Sequence, residues 1–306
     1  MKGPVVQQES RILISGASGF IGSHLVPYLE ERGHSVYRLV RSQPATSNEV
    51  GWKPGTRLDP SMLPEGITAI INLSGSSIAV PFNEKNKRSI LFSRTSSTET
   101  LVQLALELTP QPLSFISASG IGIYGDRGSE LLTEDSTAAR DFVADVCVRW
   151  EAALAPLAES RIRTVILRTG MVLHPDGGAL EKMLPAFEKG LGAVLGDGRQ
   201  YMSWISMRDY LRIVRFALDN QKLSGPLNVI SPQPVSNREF SQALAQALGR
   251  SLHFAAPAWT LTFAMGEMAK LLLLASQRVD PAALRKAGFD WKDRSLDRAL
   301  AEFFSR

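Results

Sequence analysis

The sequence contains a single cysteine, Cys147, among its 306 residues. One cysteine excludes disulfides within the chain and any metal site built from several cysteines, and it is typical of a reducing compartment. Cys147 lies in a stretch with helical patterning, and we expect it to be a small core residue. The four histidines, His24, His34, His174 and His253, show no mutual spacing typical of a metal site, so we expect no metal.

Long apolar runs and clusters of like charge are also missing. The most apolar region, residues 255–276, is interrupted by Pro257, Glu267 and Lys270 and lacks the ~18 continuous apolar residues of a membrane span, so we expect helix docked on the core there. Residues 1–10 are too polar and too short for a signal peptide. The 34 Lys and Arg residues are spread along the chain, which gives no footprint for nucleic acid. We expect a cytoplasmic protein that binds neither nucleic acid nor membrane.

The clearest pattern that is present is the stretch RILISGASGFIG at residues 11–22. Its short apolar start is typical of a strand buried on both faces of a parallel sheet. Gly16, Gly19 and Gly22 follow, and glycines there let the backbone bend sharply and approach phosphates closely. Residues 20–32 have the pattern of a helix whose free N–H groups would face those phosphates. This order predicts a dinucleotide-binding unit; a tight turn with close helix–strand packing is the alternative.

Apolar runs alternate with amphipathic stretches along the rest of the chain, which predicts a doubly wound sheet. Further strands are predicted at residues 34–40, 67–73, 113–117, 164–168 and 227–230, with loops at 41–65 and 120–139. Further helices are predicted at residues 83–107, 142–158, 179–189 and 206–218, the last opened by a capping box of Ser206 and Asp209.

The predicted fold class is α/β, a Rossmann-like doubly wound parallel sheet with a smaller, mostly helical C-terminal lobe. We assign residues 11–170 to the Rossmann domain, with residues 205–231 returning to it. Residues 171–204 and 232–306 form the lobe.

The end of the second strand favours NADP over NAD. An NAD-selective site usually has an acidic residue there that accepts hydrogen bonds from the ribose hydroxyls. Here Val40 occupies that position and Arg41 follows it. A guanidinium can donate two charge-assisted hydrogen bonds to the 2′-phosphate of NADP, so we predict this role for Arg41. The alternative is that Arg41 is a solvated loop residue.

Small and hydroxyl residues follow two further strands. The third strand ends in NLSG (72–75) and the fourth in SASG (117–120). Small residues at the carboxyl ends of parallel strands let a ring or a sugar lie against the backbone at the crevice of the sheet. Their joint occurrence at one edge strengthens the prediction of a dinucleotide site.

These motifs resemble those of an atypical extended short-chain dehydrogenase/reductase of the NAD-dependent epimerase/dehydratase superfamily. Within it, the chain is most similar to the "epimerase family protein" branch, which also carries a cell-division-inhibitor label and has its own C-terminal domain. The resemblance rests on GASGFIG (16–22), NLSG (72–75), SR (93–94), SASGIGIYG (117–125), WEAA (150–153), LRTGMVL (167–173), GRQYMSWI (198–205) and VDPAALRKAGFDW (279–291). It extends from about residue 11 to the end of the chain.

The resemblance implies a set of residues that contact NADP. These are Gly16, Ser18, Gly19, Phe20, Ile21, Gly22, Arg41, Leu73, Ser74, Gly75, Arg94, Ser117 and Val143. Arg94 lies on the helix after the third strand, from which it would reach the pyrophosphate. A surface arginine on that helix is the alternative.

The usual acid/base pair of the superfamily is missing. Members that react on sugars use Tyr-x-x-x-Lys on the helix after strand four, where the lysine lowers the pKa of the tyrosine. Here Val143 and Cys147 occupy those positions, and neither side chain supplies that proton transfer. Ser119 and Tyr124 are the remaining catalytic candidates, and a positional role is the alternative for Tyr124.

Two hypotheses follow from this departure. The first is an NADP(H)-dependent oxidoreductase or epimerase-like protein that acts on an unknown small molecule. The second is a catalytically silent NADP(H)-binding regulator or redox sensor. In either case we expect a monomer or a homodimer.

Overall fold

The computed structural model describes residues 10–304, and strands alternate with helices along the first half of this stretch. The strands are β1 (Arg11–Ser15), β2 (Ser35–Val40), β3 (Glu49–Gly51), β4 (Ala69–Asn72), β5 (Ser114–Gly120), β6 (Leu131–Leu132) and β7 (Arg163–Thr169). The helices are α1 (Phe20–Glu30), α2 (Glu84–Glu107) and α3 (Phe142–Ala152). Residues 1–9, where the sequence predicts no signal peptide, lie outside the described residues.

Shorter strands and more helix make up the second half. The strands are β8 (Met171–His174), β9 (Ala193–Leu195), β10 (Tyr201–Met202), β11 (Trp204–Ser206), β12 (Gly225–Val229), β13 (Val235–Ser236), β14 (Phe254–Ala256) and β15 (Arg278–Val279). The helices are α4 (Gly178–Glu188), α5 (Met207–Asp219), α6 (Asn237–Ala247), α7 (Ala258–Met265), α8 (Ala282–Lys286) and α9 (Leu296–Phe304).

Seven strands form one parallel sheet in the order β12-β7-β5-β4-β1-β2-β3. The chain runs outward from β1 through β2 to β3 and then returns to the other side of β1, where it forms β4. This reversal opens a crevice outside the carboxyl ends of β1 and β4, which is where open α/β sheets bind ligands. The predicted Rossmann-like doubly wound sheet is confirmed.

The central strands are buried on both faces, as their short apolar runs predict. Ile12 and Ile14 of β1 point into a core shared with α1 and α5, whereas Leu13 between them points into a core shared with α2. Because successive side chains of a strand face opposite sides of the sheet, each central strand contributes to both cores. The glycine turn that follows β1 therefore lies at the edge of the sheet that is formed by the carboxyl ends of its strands.

Three predicted boundaries are wrong in detail. The predicted loop 41–65 contains the edge strand β3, whose three residues are too few to give a periodic pattern. The predicted loop 120–139 contains β6, which pairs with β15 from the far end of the chain. The predicted helix 142–158 ends at Ala152 and continues as a separate 3₁₀ turn, Ala155–Glu159.

The predicted capping box of Ser206 and Asp209 is partly confirmed, because Ser206 Oγ accepts a hydrogen bond from the backbone N–H of Asp209 at 3.2 Å.

The C-terminal segment is attached to α5 through Asp209, which is fully buried. Its two carboxylate oxygens accept hydrogen bonds from the backbone N–H groups of Lys292 at 3.0 Å and Asp293 at 2.7 Å. Ser206 Oγ in turn donates to Asp293 Oδ2 at 2.6 Å. These contacts join the last part of the chain to the sheet domain. The assigned domain boundaries themselves stay a prediction.

In the apolar region at residues 255–276, the first part does not dock on the core as we expected, whereas Ala269 in the second part is fully buried. None of the residues of α7 is buried, and Trp259 and Phe263 are 72% and 91% exposed. Within residues 10–304, no helix is both long enough and apolar enough to cross a membrane.

Candidate cofactor site

The glycine turn after β1 packs directly against the end of β4. Gly16 has a φ of +74°, which glycine adopts at little cost, and a Cβ atom on it would lie 2.7 Å from the carbonyl oxygen of Leu73. A Cβ atom on Gly22 would lie 2.2 Å from the carbonyl oxygen of Gly16. Gly19 precedes α1, and no side chain caps the first N–H groups of this helix. Those N–H groups are available to the phosphates of a dinucleotide.

The buried side chain of Asn72 connects β1, β4 and α2 at this crevice. Its Oδ1 accepts hydrogen bonds from Ser15 Oγ at 2.8 Å and from the backbone N–H of Ser74 at 3.1 Å. Its Nδ2 donates to Thr98 Oγ1 at 2.8 Å, and the same hydroxyl accepts from Trp150 Nε1 at 3.0 Å. One amide therefore sets the position of the end of β4 relative to the glycine turn.

Arg94 brings a positive charge to the same crevice without a carboxylate partner. Its Cζ lies 5.1 Å from the centroid of the Trp150 ring, and a Cβ atom on Gly75 would lie 3.2 Å from that Cζ. Its Nη1 donates to the backbone carbonyl of Ile90 at 3.0 Å, and it forms no ion pair within residues 10–304. Burial lowers the pKa of Arg94 from its ordinary value because desolvation disfavours the charged form. A bound anion would compensate this charge.

Arg41 and Arg38 differ in what they contact. Arg38 Nη2 donates to Asn48 Oδ1 at 2.9 Å and lies 3.6 Å from Glu49 Oε1, so it joins β2 to β3. Arg41 directly follows β2 and is exposed, and it forms no hydrogen bond or ion pair in the described part of the chain. Of these two arginines, Arg41 is the one available to a phosphate at the end of β2.

The other predicted contact residues lie at the carboxyl ends of β4 and β5 and around the start of α1. Ser18 in the glycine turn is exposed, and Ile21 in the first turn of α1 is partly exposed. Phe20 is covered by the turn between β8 and α4, since a Cβ atom on Gly177 would lie 2.2 Å from its ring. Ser117 is fully buried, and its hydroxyl donates to the next carbonyl along the chain at 3.2 Å. Its side chain is therefore directed at protein rather than at solvent.

The face of α3 that lacks the tyrosine and the lysine packs against the turn after β5. A Cβ atom on Gly122 would lie 2.5 Å from Val143 Cγ1, so the two elements are in close contact. Cys147 is buried, and burial, together with the charge of Glu151, raises the pKa of its thiol to about 12. The prediction that Cys147 is a core residue is confirmed. Neither Val143 nor Cys147 can transfer a proton near neutral pH.

The two catalytic candidates belong to one buried network around Arg168. Tyr124 is fully buried; its hydroxyl donates to Asn228 Oδ1 at 2.7 Å and accepts from Arg168 Nη1 at 3.0 Å. Ser119 Oγ donates to Glu151 Oε1 at 2.7 Å. Glu151 Oε2 lies 2.9 Å from Arg168 Nη2, which completes the network.

This network favours the positional alternative for Tyr124, and its catalytic role stays a prediction. Burial raises the pKa of its phenol, which is the opposite of what acid/base work near neutral pH requires. Both contacts of its hydroxyl are with protein, which supports a structural role for Tyr124. The hydroxyl proton of Ser119 is held by Glu151, which leaves Ser119 able to accept a hydrogen bond; its contact with a substrate stays a prediction.

Three charged residues of this region, Glu134, Glu151 and Arg168, do not stand out in the sequence. Glu151 and Arg168 lie in the WEAA and LRTGMVL motifs, so a family signal was present, but no local pattern pairs them. Glu134 lies in the predicted loop 120–139, yet its Oε1 accepts hydrogen bonds from the backbone N–H groups of Asn228 at 3.0 Å and Ala283 at 3.3 Å. Its partners come from distant parts of the chain, which sequence spacing does not reveal.

Two of the four histidines also come together. The rings of His24 on α1 and His174 at the end of β8 have centroids 4.4 Å apart. Asp176 completes a group whose ligand atoms all lie within 4.8 Å of one another. The sequence spacing of the histidines does not reveal this pair, because the fold joins elements that are far apart in sequence.

Known proteins show which family this chain belongs to. A sequence model of the NAD dependent epimerase/dehydratase family matches residues 12–230. The chain belongs to this family. The family has a Rossmann-like NAD(P)-binding fold of the short-chain dehydrogenase/reductase type, as the motifs predict. A second model, of a domain of unknown function (DUF1731), matches residues 256–303, which confirms the resemblance to a branch with its own C-terminal domain.

Similar proteins match over nearly the whole chain. "Epimerase family protein Mb2239" of Mycobacterium bovis is 40% identical over 291 residues, which cover 94% of this chain and 96% of that protein. The crystal structure of human epimerase family protein SDR39U1 (isoform 2) with NADPH has a TM-score of 0.89 at 29% identity, covering 97% and 99% of the two chains. The structure of a nucleoside-diphosphate sugar epimerase from Corynebacterium glutamicum has a TM-score of 0.79 at 33% identity. The match covers 97% of this chain and 58% of that one.

We predict that Tyr124→Phe lowers the free energy of unfolding by about 1–2 kcal/mol, because Asn228 and Arg168 each lose a buried hydrogen bond. NADPH affinity should not change, since the lost contacts are structural. Urea unfolding and NADPH fluorescence titration measure the two quantities. Tyr201→Phe is the matched control, because the Tyr201 hydroxyl has no hydrogen bond within residues 10–304. Loss of NADPH binding in Tyr124→Phe with unchanged stability would contradict the structural role.

Proposed function

We propose that this chain binds NADP(H) across the carboxyl ends of β1, β2 and β4 and acts on a small substrate as an oxidoreductase or epimerase-like protein. The observation that carries the proposal is Arg94, a partly buried guanidinium without an ion-pair partner among the described residues, beside the glycine turn. A cation in this setting is stabilised by a bound anion. The NADPH present in the structure of the human relative supports the same assignment.

Each part of the dinucleotide has a matching group in the chain. The N–H groups at the start of α1 and the charge of Arg94 suit the pyrophosphate. Arg41 suits the 2′-phosphate, since a planar guanidinium can donate two hydrogen bonds to it. The backbone of Leu73, Ser74 and Gly75 lies at the crevice, where small residues allow a sugar or a ring to approach.

When bound, the nicotinamide supplies hydride chemistry. The chain contributes a shaped crevice, the positive charge of Arg94 and an apolar helix face at Val143 and Cys147. Because that face offers no group that exchanges protons near neutral pH, any proton in the reaction would come from solvent or from the substrate. Ser119 can accept a hydrogen bond from a substrate hydroxyl but does not carry a free proton.

The apolar face of α3 also supports a second candidate function. A protein that binds NADP(H) without turnover needs the glycine turn, Arg41 and Arg94, but it does not need an acid/base pair. In that case the chain acts as a regulator or redox sensor. We further propose that it works in the cytoplasm as a monomer or homodimer, without nucleic acid or membrane as partner; its single cysteine supports a reducing compartment.

Arg41→Ala should weaken NADPH binding by about 10- to 100-fold, because it removes charge-assisted hydrogen bonds to the 2′-phosphate. NADH, which lacks that phosphate, should bind as it does to the unmodified protein. Fluorescence titration with each dinucleotide measures the change. Arg199→Ala serves as the control, since the Arg199 side chain is 90% exposed and lies in the C-terminal lobe. Equal losses for NADPH and NADH would rule out the role of Arg41.

Arg94→Met should weaken NADPH and NADH to the same extent, by about 10-fold or more, because both share the pyrophosphate. The stability of the unliganded protein should not fall, since the substitution removes a desolvated charge that has no ion-pair partner. Titration and urea unfolding of the same preparation test both parts. Unchanged affinity for both dinucleotides would show that Arg94 does not bind the pyrophosphate, and the proposed function would lose its main support.

We expect at least one small carbonyl compound to cause oxidation of NADPH, followed at the NADPH absorbance band. We expect Arg94→Met to lower this turnover at dinucleotide concentrations that just saturate the unmodified protein. Cys147→Ser should retain the turnover, because the buried thiol has no part in it. Tight NADPH binding without turnover on the whole panel would favour the regulator. No binding of either dinucleotide would overturn both candidate functions.

A further inference from the structure

His24, His174 and Asp176 form a cluster that the proposed function does not use. His24 lies on α1, one turn after Phe20, and His174 is the last residue of β8. Asp176 follows two residues later in the turn that leads to α4. The sequence therefore supplies two potential ligands from one turn and a third from a rigid helix. His24 forms no hydrogen bond or ion pair within the described residues, so its ring nitrogens are available.

The separations within the cluster suit a small divalent cation. His174 Nδ1 lies 3.6 Å from Asp176 Oδ2. It accepts a hydrogen bond from the backbone N–H of Asp176 at 3.3 Å, which a metal bound at Nδ1 would replace. Zn²⁺ binds imidazole and carboxylate ligands at about 2.0–2.2 Å in tetrahedral geometry, which puts two ligand atoms on one ion about 3.3 Å apart. The ligand atoms of all three residues lie within 4.8 Å of one another, and the exposed side chain of Asp176 can rotate to close the remaining gap. Imidazole and carboxylate together favour a transition metal over Mg²⁺ or Ca²⁺.

The surroundings leave the two imidazoles accessible while limiting their motion. Phe20 packs edge-on against His24 at a centroid distance of 6.0 Å, and Phe303 packs edge-on against His174 at 5.5 Å. Both imidazoles line a cleft of about 750 Å³, which would leave the fourth coordination position to solvent.

Two arginines of the cleft are paired with carboxylates, whereas Lys292, which also lines it, has no ion pair among the described residues. Arg208 forms ion pairs with Asp293 and Glu302, and Arg212 forms one with Asp209. These acidic groups are therefore neutralised by arginines. In the described part of the chain, neither imidazole of the histidine pair forms an ion pair with an arginine or a lysine. The pairing also limits the repulsion that the arginines would exert on a bound cation.

We propose that His24, His174 and Asp176 form a binding site for a divalent transition metal of the Zn²⁺ class, joining α1 to the turn between β8 and α4. The same turn covers Phe20 of the glycine motif, because a Cβ atom on Gly177 would lie 2.2 Å from the Phe20 ring. A metal here would stabilise the folded state by mass action and hold this turn against the start of the cofactor-binding helix.

The test uses the full chain without an affinity tag, treated with chelator and kept free of dinucleotide. We expect titration calorimetry with Zn²⁺ to give one site, and Co²⁺ to give the visible absorption of a tetrahedral complex. His24→Gln and His174→Gln should each weaken Zn²⁺ binding by at least about 10-fold, and Asp176→Asn should weaken it less. Zn²⁺ should also raise the Tm of the unmodified protein but not that of the double histidine variant.

His253→Gln is the matched control, because His253 is exposed and lies outside the cluster. It should bind Zn²⁺ as the unmodified protein does. Absence of Zn²⁺ binding, or binding that survives loss of both His24 and His174, would overturn the proposal. Because no dinucleotide is present, neither result depends on whether the chain binds NADP(H). Circular dichroism of each variant confirms that a loss of binding does not reflect unfolding.

Discussion

The amide of Asn72 is the contact on which the geometry of the cofactor edge depends. It bonds to β1 through Ser15, to the backbone after β4 through Ser74 and to α2 through Thr98. Because a buried polar group left without a partner costs about 1–3 kcal/mol, none of these elements can shift alone without breaking a bond that water cannot replace. This junction fixes the close approach of Gly16 to Leu73. It thereby also fixes the size of the space above the glycine turn.

Two arginines near this junction show how the protein distributes charge. Arg168 is satisfied on every side: Glu151 binds it through two atoms, Tyr124 accepts from it, and the backbone carbonyl of Glu134 completes the set. Arg94 donates to a carbonyl of its own helix and lies over the Trp150 ring, but it has no carboxylate partner among the described residues. A buried charge with partners serves the structure, whereas one that lacks a counter-charge is costly unless a ligand supplies it. The contrast separates the structural network from the candidate anion site.

The helix that follows β5 has changed its role relative to sugar-modifying members of the superfamily. Val143 packs on the turn at Gly122, and Cys147 lies buried against the same turn. The face that supplies a proton in those members here contributes packing. The crevice at which we propose dinucleotide binding is present while the Tyr-x-x-x-Lys pair is absent, so the proposed cofactor binding does not depend on that pair.

Much of the fold is readable from local patterns. The apolar runs predict the central strands because a strand buried on both faces needs continuous apolar residues, and Asn83 and the Ser206–Asp209 pair mark where α2 and α5 begin. The three-residue β3 and the pairing of β6 with β15 escape such reading, since their stability comes from partners rather than from a pattern of their own. The exposed α7 escapes it as well, because an apolar composition does not reveal what covers a helix.

The sequence by itself determined the family, the parallel sheet, the glycine turn and the loss of the tyrosine–lysine pair. Each of these features is encoded by residues that are close together in the sequence. Each depends only on residue type or on local backbone conformation. Only the tertiary structure decided that Tyr124 is held in the Arg168 network, that Arg94 lacks a counter-charge among the described residues and that His24 meets His174. Those facts depend on which distant side chains share a small volume, and burial then sets the cost of every charge and hydrogen bond placed there.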